Sequence, residues 1–362
     1  MTEEEGARRA ADRFRLPGVP AVTGLVPGGL IHRSWLVEAG GVRFVLQRLN
    51  RSVFRDLDAV MSNITVVTRH IAAKLEANGD GDAERRSLTL VEGKDGSDWI
   101  EDDRGDAWRC TLYVEGSETR LTADSPDDAY EAGRAFGDFA QLMADLRTPL
   151  AVTIPGFHDT ATRLAALRAA AATDRAGRAA GVMPELEVIS EHTSLAHILP
   201  ELLASGALPQ RVAHNDAKIA NVLFDAATGH AWGVLDLDTV MPGTALHDVG
   251  DLIRSTVGSA TEDEADPRRM TVRPAMFQKL VQGYLYGAGP VFIAAERALI
   301  VTAGRAITYE QAVRFLTDHL AGDVYYPIGR SGHNLDRART QLALFLDLTA
   351  RADELEEIVA AA

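Results

Sequence analysis

The stretch between residues 214 and 238 constrains the fold more than any other part of this 362-residue chain. A polar segment with the sequence HNDAKIAN, residues 214–221, runs directly into a short apolar segment at residues 222–224. Turn-forming residues follow at 225–229, and a second apolar run at 232–235 leads into Asp236. Two short apolar runs around a turn predict a β-hairpin. Because a hairpin reverses the chain, it would return Asn221 and Asp236 to the same end.

The residue types in this stretch are those that phosphoryl transfer requires. Asp216 can accept the proton of an attacking hydroxyl group, and Lys218 can neutralise charge on the transferred group. Asn221 and Asp236 offer the hard oxygen ligands that Mg²⁺ binds. We therefore predict that Asp216 and Lys218 are catalytic and that Asn221 and Asp236 bind the metal. The alternative is an ordinary polar loop, since isolated Asp and Asn residues are mostly turn formers.

The order His-x-Asp-x-Lys-x-x-Asn, followed within a hairpin's length by an Asp in an apolar strand, resembles the protein-kinase-like superfamily. Within it, the chain resembles the aminoglycoside phosphotransferase and choline kinase branch. Residues 235–243 (LDLDTVMPG) and 248–254 (DVGDLIR) look most like N-acetylhexosamine 1-kinases. This resemblance implies a two-lobed α+β fold. A small N-terminal lobe, residues 1–114, would consist of an antiparallel sheet and one main helix and would bind the nucleotide. A larger, mostly helical lobe, residues 115–362, would contain the catalytic and substrate-binding residues.

The resemblance also implies an ATP- and Mg²⁺-dependent kinase that phosphorylates the anomeric hydroxyl of a hexose or N-acetylhexosamine, giving the sugar 1-phosphate. Asp216 would contact the sugar as the base. Asp238 is either a second substrate contact or only an acid at the end of a strand. Arg314 and Tyr325, within RFLTDHLAGDVYY at residues 314–326, match sugar-contacting positions of the family. The alternative for this segment is that Arg314 pairs with Asp318 on a helix surface while Tyr325 packs in the core.

Other acceptors remain open at this stage. Kinases of an aminoglycoside, of methylthioribose or of a choline-like amino alcohol would share every motif up to residue 253. A pocket for a cationic acceptor would be rich in acids. A non-catalytic binding protein of kinase fold is a further alternative, which the retention of Asp216, Asn221 and Asp236 argues against.

The predicted nucleotide end is the segment PGGLIHRSW at residues 27–35, which lies between two predicted strands. Gly28 and Gly29 would let backbone amides approach phosphate oxygens closely. By resemblance, Ser34 and Glu115 would also contact the nucleotide, and Arg48 on the third strand would bind its phosphates.

Two features depart from the family pattern. The helix predicted over residues 58–77 has no central Glu to pair with Arg48, so Asn63 is its expected neighbour. His32 and Arg33 stand where hexosamine kinases usually carry Asn. By resemblance, His214 braces the catalytic loop, residues 214–221, and Asp248 holds this loop through its backbone amides. The alternative for Asp248 is that it stabilises the N-terminus of its own helix.

Hydrophobic periodicity and turn residues predict the remaining elements. Gly40 and Gly41 predict a hairpin turn. The predicted strands cover residues 22–26, 34–37, 43–49, 88–91 and 107–114. The predicted helices cover residues 58–77, a segment from 127 onward, and 161–180, 185–205, 246–257, 274–287, 294–320 and 335–358.

The amino-acid composition limits the binding partners and the cellular compartment that we expect for this chain. A net charge of −15 and a pI near 5.1 oppose binding to nucleic acid or to an anionic membrane. Cys110 is the only cysteine, which excludes an internal disulfide. The acidic N-terminal sequence is unlike a secretory leader, and no apolar run approaches ~18 residues. We expect a cytoplasmic enzyme with a small-molecule sugar substrate. The oligomeric state stays open, and a monomer is compatible with these features.

Overall fold

The computed structural model describes residues 2–26 and 31–362. Within them, the first part of the chain forms an antiparallel sheet. Its strands are β1 (Ala21–Val26), β2 (Arg33–Ala39), β3 (Val42–Leu49), β4 (Leu90–Val91), β5 (Ile100–Glu101) and β6 (Ala107–Leu112). The strand order is β1-β2-β3-β6-β4, and β5 pairs with the beginning of β6. The predicted Gly40-Gly41 turn between β2 and β3 is confirmed, and both glycines have the positive φ that such a turn needs (60° and 80°).

Helices cover both faces of this sheet: α1 (Glu3–Ala11), α2 (Leu57–Ala77) and the short α3 (Ala83–Arg86). Helix α1 was not predicted. It begins with a capping box between Thr2 and Glu5, and its alanines pack on the face that carries Trp108. Helix α2, predicted over 58–77, is confirmed and packs on the opposite face against Leu49.

The second part of the chain is mostly helical. Its helices are α4 (Pro126–Met143), α5 (Thr160–Thr173), α6 (Met183–Glu191), α7 (Leu195–Ala204), α8 (Ala245–Thr256), α9 (Pro274–Ala288), α10 (Ala294–Arg297), α11 (Ile300–Ala321), α12 (His333–Ala350) and α13 (Ala352–Ala361). Its short strands are β7 (Ser117–Glu118), β8 (Arg211–Ala213), β9 (Val222–Asp225), β10 (Ala231–Val234) and β11 (Met241–Gly243).

Several predicted helices are shorter or divided. The helix predicted over 161–180 ends at Thr173, because Asp174 adopts a left-handed conformation (φ 40°). The helix predicted over 185–205 is two helices, α6 and α7, joined by a turn at residues 192–194. The helices predicted over 294–320 and 335–358 are divided in the same way, at residues 298–299 and at Arg351.

Helices α4 and α9 approach each other closely enough for their backbones to touch. A Cβ atom added at Gly133 would lie 2.2 Å from the carbonyl oxygen of Leu280, and one added at Gly283 would lie 2.0 Å from that of Tyr130. Only glycine therefore allows this approach, since no side chain fits between the two backbones. The packing fixes α4, which carries aromatic side chains toward the catalytic loop.

The predicted two-lobed α+β fold is confirmed. Strand β6 ends at Leu112 and belongs to the N-terminal sheet, whereas β7 pairs with β9 of the C-terminal lobe. The lobe boundary between residues 114 and 115 stays a prediction. Among the described helices, none is long and apolar enough to cross a membrane.

Candidate active site

The segment after β8 forms a loop that buried groups hold in place. Asp248, near the start of α8, accepts hydrogen bonds from the backbone amides of His214 (2.8 Å) and Asn215 (2.7 Å). Burial raises the pKa of Asp248 to about 6, and the two amides act against that rise. The His214 ring lies 2.8 Å from the carbonyl oxygen of Leu235 and packs edge-on against Phe136 of α4. His214 thus joins the loop to the residue preceding Asp236.

Asp216 lies at the centre of this loop as half of a partly buried ion pair. Lys218 Nζ lies 2.7 Å from its Oδ2, and Asn221 Nδ2 donates to its backbone oxygen (2.8 Å) and to Oδ2 (3.1 Å). Burial opposes ionisation, but the attraction of Lys218 outweighs it and lowers the pKa of Asp216 to about 2. Asp216 and Asp236 in turn raise the pKa of Lys218, against the effect of burial. Both side chains are therefore charged at neutral pH.

The predicted hairpin is confirmed, and it brings Asn221 and Asp236 together. Strands β9 and β10 pair antiparallel with Val222 opposite Val234. The amide of Leu235 donates to the carbonyl oxygen of Asn221 at 2.7 Å. Asp236 follows directly in a left-handed conformation (φ 60°) that ordinary residues rarely adopt.

The residues predicted to bind a metal fit a hard divalent cation. Burial and the neighbouring carboxylates of Asp238 and Asp216 raise the pKa of Asp236 to about 7, so its negative charge lacks compensation. Asn221 directs its amide nitrogen toward Asp216, which leaves its Oδ1 available to a cation. A bound Mg²⁺ would supply the missing positive charge through oxygen ligands.

A buried polar network links this site to the N-terminal sheet. Ser34 accepts a hydrogen bond from Gln47 (3.0 Å), and Gln47 accepts one from Arg109 Nε (2.8 Å). Arg109 then makes two bonds, 2.7 and 2.6 Å, with the carboxylate of Asp238. His32 Nε2 lies 3.5 Å from the same carboxylate. The predicted nucleotide residue Ser34 is thus connected to the catalytic motif through Arg109, which was not predicted.

This network corrects the prediction for Asp238. Both of its carboxylate oxygens bind Arg109, and only 2% of its side chain is exposed. Burial opposes its ionisation, but Arg109 and His32 lower its pKa well below the usual range. Asp238 is therefore enclosed as an ion-pair partner and does not face an acceptor.

Arg48 also differs from its prediction. It lies on the α1 face of the sheet, where its Nη2 is 3.0 Å from Glu3, whereas its neighbour Gln47 points to the face of Arg109. With Arg33 and Arg51 it lines a cavity of about 510 Å³, whose described lining includes none of the catalytic-loop residues. Arg48 and the predicted nucleotide residue Ser34 therefore lie on different faces of the sheet.

Three further predictions concern the nucleotide and its surroundings. Asn63 is not a neighbour of Arg48: it donates to the carbonyl oxygens of Ala151 (2.9 Å) and Val240 (3.0 Å). Glu115 is at the surface, where it pairs with Arg43 (Nε to Oε1, 2.7 Å), and its nucleotide role stays a prediction. Gly28 and Gly29 lie outside the described residues.

The predicted acceptor side is built around α11. Arg314 lies between two aromatic rings, 5.6 Å from that of Phe157 and 5.7 Å from that of Tyr326. The alternative pairing of Arg314 with Asp318 is absent from the described contacts. Asp318 instead accepts hydrogen bonds from the backbone amides of residues 324–326 at 2.8–2.9 Å. Those bonds present Tyr325 at the surface with 60% exposure, so it does not pack in the core.

Two more residues near Asp216 were not predicted. Arg254 of α8 binds Asp251 (2.6 Å) and Glu262 (2.6 Å), and its charge contributes to the low pKa of Asp216. His158 contacts the carbonyl oxygen of Asn215 at 3.0 Å. No local sequence pattern signals the contact of His158, which joins segments far apart in the chain, whereas the pair of Arg254 and Asp251 has the i,i+3 spacing of neighbours on a helix.

Comparison with known proteins agrees with this geometry. The profile of the family described as APH, the phosphotransferase enzyme family, matches residues 24–276, which is more than half of the chain. The chain belongs to this family. As a member of the aminoglycoside phosphotransferase and choline kinase branch, it is a phosphotransferase that acts on an alcohol group of a small molecule.

Solved structures show the same fold at low sequence identity. A microcompartment-associated aminopropanol kinase aligns with a TM-score of 0.63 and 16% identity over 97% of this chain and 98% of that chain. A choline/ethanolamine kinase family protein from Mesorhizobium loti aligns with a TM-score of 0.57 and 18% identity over 100% and 99%. A spectinomycin phosphotransferase, solved with ADP and spectinomycin, aligns with a TM-score of 0.58 and 9% identity over 97% and 98%.

Proposed function

We propose that this phosphotransferase uses ATP and Mg²⁺ to phosphorylate the anomeric hydroxyl of a hexose or N-acetylhexosamine. The observation that carries the proposal is the pairing of a charged, positioned Asp216 with an acceptor side built from Arg314 and exposed Tyr325. Bidentate donors of Arg suit sugar hydroxyls and an acetamido carbonyl, and Tyr can both stack and hydrogen-bond.

Asp216 acts as the base in this reaction. It takes the proton of the anomeric hydroxyl while that oxygen forms a bond to the γ-phosphorus of ATP. The bond between that phosphorus and the β-phosphate oxygen breaks, and ADP leaves. Lys218, 2.7 Å from Asp216, is placed to stabilise negative charge on the transferred group. Asn221 and Asp236 would hold Mg²⁺, which when bound neutralises charge on the nucleotide phosphates.

The charges around the acceptor side favour a neutral acceptor over a cationic one. Asp251 and Glu262 are both paired with Arg254, and Glu310 of α11 is paired with His158 at 3.0 Å. Asp318 is saturated by backbone amides. Binding a cationic amine would require a carboxylate without such a partner, or a cage of aromatic rings without an arginine in it. Arg314 lies between the rings that would form that cage.

A coupled ADP-release screen tests this proposal. The acceptors are free hexoses, hexosamines, N-acetylhexosamines, aminoglycosides, methylthioribose and choline-like amino alcohols, each measured with Mg²⁺ and with excess chelator. Methyl glycosides of the best sugar are the matched control, because a methyl group replaces the proton of the anomeric hydroxyl and the rest of the sugar is unchanged. Phosphorus NMR then identifies the phosphorylated position. We expect Mg²⁺-dependent turnover of a free sugar and none of its methyl glycoside. Equal turnover of the glycoside, or a preference for an amino alcohol, would contradict the proposal.

A further inference from the structure

His158 connects the catalytic loop to the acceptor-side helix through both of its ring nitrogens. It lies in the turn before α5 and is only 6% exposed. Its Nδ1 is 3.0 Å from Oε1 of Glu310 on α11, and its Nε2 is 3.0 Å from the backbone oxygen of Asn215. The sugar-side residue Arg314 lies one helical turn after Glu310. A single side chain therefore spans from the helix of Arg314 to the residue preceding Asp216.

The two contacts and the ionised state of Glu310 together determine the protonation state of His158. A backbone carbonyl can only accept a hydrogen bond, and so can an ionised carboxylate. Although burial opposes ionisation, His158 lowers the pKa of Glu310 to about 2, and the other oxygen of Glu310 accepts from the hydroxyl of Thr160 at 2.6 Å. Both ring nitrogens of His158 must then donate, which requires the imidazolium form.

The surrounding charges agree with this assignment. Burial lowers the pKa of His158, but Glu310 and Asp251 raise it and outweigh both burial and the opposing charge of Arg314. The ring of His247 on α8 lies 4.3 Å from that of His158, and burial and the cation beside it lower the pKa of His247 well below its usual value. His247 is therefore neutral, so the two neighbouring rings do not repel each other as cations.

The contact with Asn215 fixes the peptide unit that leads into Asp216. Asn215 has a positive φ of 63°, which is unfavourable for a residue other than glycine. The amide nitrogen of Asn215 donates to Asp248 at 2.7 Å. The side-chain Nδ2 of Asn215 donates to the carbonyl oxygens of Ala213 (3.1 Å) and Thr239 (3.0 Å). His158 binds the remaining polar group of its backbone, the carbonyl oxygen.

We propose that His158, as an imidazolium between Glu310 and Asn215, is a positioning residue that holds Asp216 in register with the acceptor-binding face of α11. The assignment of Asp216 as the base rests on the proposed function. His158 itself neither touches the acceptor nor exchanges a proton in the reaction.

Three variants separate this positioning role from a general effect on folding. His158→Gln cannot donate from both ends, so the turnover number should fall at least ~10-fold, while the Michaelis constant for ATP should stay within about twofold. Glu310→Ala should behave in the same way. In Glu310→Gln, the new amide can donate a hydrogen bond to Nδ1 of a neutral His158, and the Nε2–H of that ring still reaches Asn215. Because both hydrogen bonds position the ring, turnover in this variant should stay within about threefold of the wild type.

The matched control is His192→Gln. His192 also bonds a backbone oxygen, that of Val188 at 2.9 Å, and packs edge-on against Phe345, and neither contact involves the catalytic loop. This variant should lower the melting temperature without changing the kinetics. Melting curves and ATP affinity for all the variants show whether each one is folded.

NMR of ¹⁵N-labelled histidine provides a readout that does not depend on activity. In the wild type at neutral pH, His158 should give an imidazolium signal, whereas in Glu310→Gln it should give the signal of a neutral ring protonated at Nε2. A neutral His158 in the wild type, unchanged turnover in His158→Gln, or a loss in Glu310→Gln as large as that in Glu310→Ala would overturn the proposal. If the wild type phosphorylates none of the acceptors, the proposed function fails, and the NMR result still decides the state and contact of His158.

Discussion

At the scale of single residues, the ion pair of Asp216 and Lys218 sets the charge of the proposed base before any acceptor binds. The pKa of about 2 keeps Asp216 ionised over the whole range in which the fold is expected to be stable. A strongly ionised carboxylate is a weak base in solution. Its effectiveness therefore depends on position in the transition state, which the bonds from Asn221 and Lys218 supply.

Replacing Asp216 by Asn tests that role. The amide keeps the size of the side chain but cannot take a proton, so we expect turnover to fall by at least ~10²-fold. ATP affinity should stay nearly unchanged, because the base acts on the acceptor. Steady-state kinetics and nucleotide titration measure the two effects. Asp103→Asn, in an exposed loop, is the control for the chemical change. Turnover close to wild type in a folded Asp216→Asn protein would eliminate the mechanism.

Replacing Asp236 by Ala tests the metal site. In the wild type, Mg²⁺ should raise the affinity for ATP. In the variant this gain in affinity should be at least ~10-fold smaller, since one of the two protein ligands of the metal is removed. The thermal stability should change little, because the variant removes the repulsion among Asp236, Asp216 and Asp238, which offsets the strain of an alanine at a φ of 60°. Nucleotide titrations with Mg²⁺ and with a chelator measure the first effect, and a melting curve measures the second. An unchanged response to Mg²⁺ would show that Asp236 is not a ligand.

The sequence identified those residues whose relations are local. Asp216, Lys218 and Asn221 lie within six residues, and one hairpin brings Asp236 to them. Arg109 was missed because its partner, Asp238, is 129 positions away. Arg48 was predicted to bind the nucleotide phosphates from its place in the motif alone. Because successive residues of a strand point to opposite sides, β3 carries Arg48 on the α1 face and Gln47 on the side of Arg109, and the motif does not reveal which side faces the site.

At the scale of elements, α11 organises the proposed acceptor side through three polar residues spaced four apart. Glu310, Arg314 and Asp318 lie on one helix face. Glu310 holds the segment at residues 158–160, Arg314 lies between two aromatic rings, and Asp318 holds residues 324–326. A helix that is otherwise largely buried thus fixes two separate loops. Its local pattern predicted the helix, but the partners of these side chains depend on tertiary structure.

Replacing Arg314 by Ala tests the acceptor contact. The Michaelis constant for the sugar should rise much more than that for ATP, by the equivalent of about 1.5–3 kcal/mol if a charged donor is lost. Arg305→Ala is the control on the same helix, because Arg305 faces α12 and bonds Thr349 at 3.1 Å. It should change stability only. If Arg314→Ala lowers the melting temperature and leaves the sugar kinetics unchanged, Arg314 is a structural residue.

Helix boundaries were less predictable than helix positions. The alanine-rich segment after residue 161 has high helix propensity throughout, yet α5 stops at Thr173 where Asp174 turns the chain. Helix α1 was missed although Thr2 and Glu5 have the spacing of a capping box. In both cases a single turn or cap residue outweighs the average propensity of its segment.

At the scale of the whole molecule, two buried contacts join the lobes at one short segment. Arg109 of β6 binds Asp238, and Asn63 of α2 binds the carbonyl oxygen of Val240 two residues later. Asn63 also bonds both backbone polar groups of Ala151. Residues 238–240 lie next to the predicted metal ligand Asp236. The relative position of the two lobes is therefore linked to the segment that would orient the nucleotide.

Breaking the Arg109–Asp238 pair tests this link. Arg109→Met leaves a buried carboxylate without its partner, and Asp238→Asn leaves a buried guanidinium, so each should cost about 3–5 kcal/mol of unfolding free energy. The double variant should recover a large part of that loss, because no unpaired charge remains. Urea denaturation of all four proteins gives the coupling energy. Arg43→Met is the matched control: Arg43 also forms a two-point pair, with Glu115, but at the surface, where the change should hardly alter stability. Small and additive losses in the single variants would show that this ion pair does not hold the lobes together.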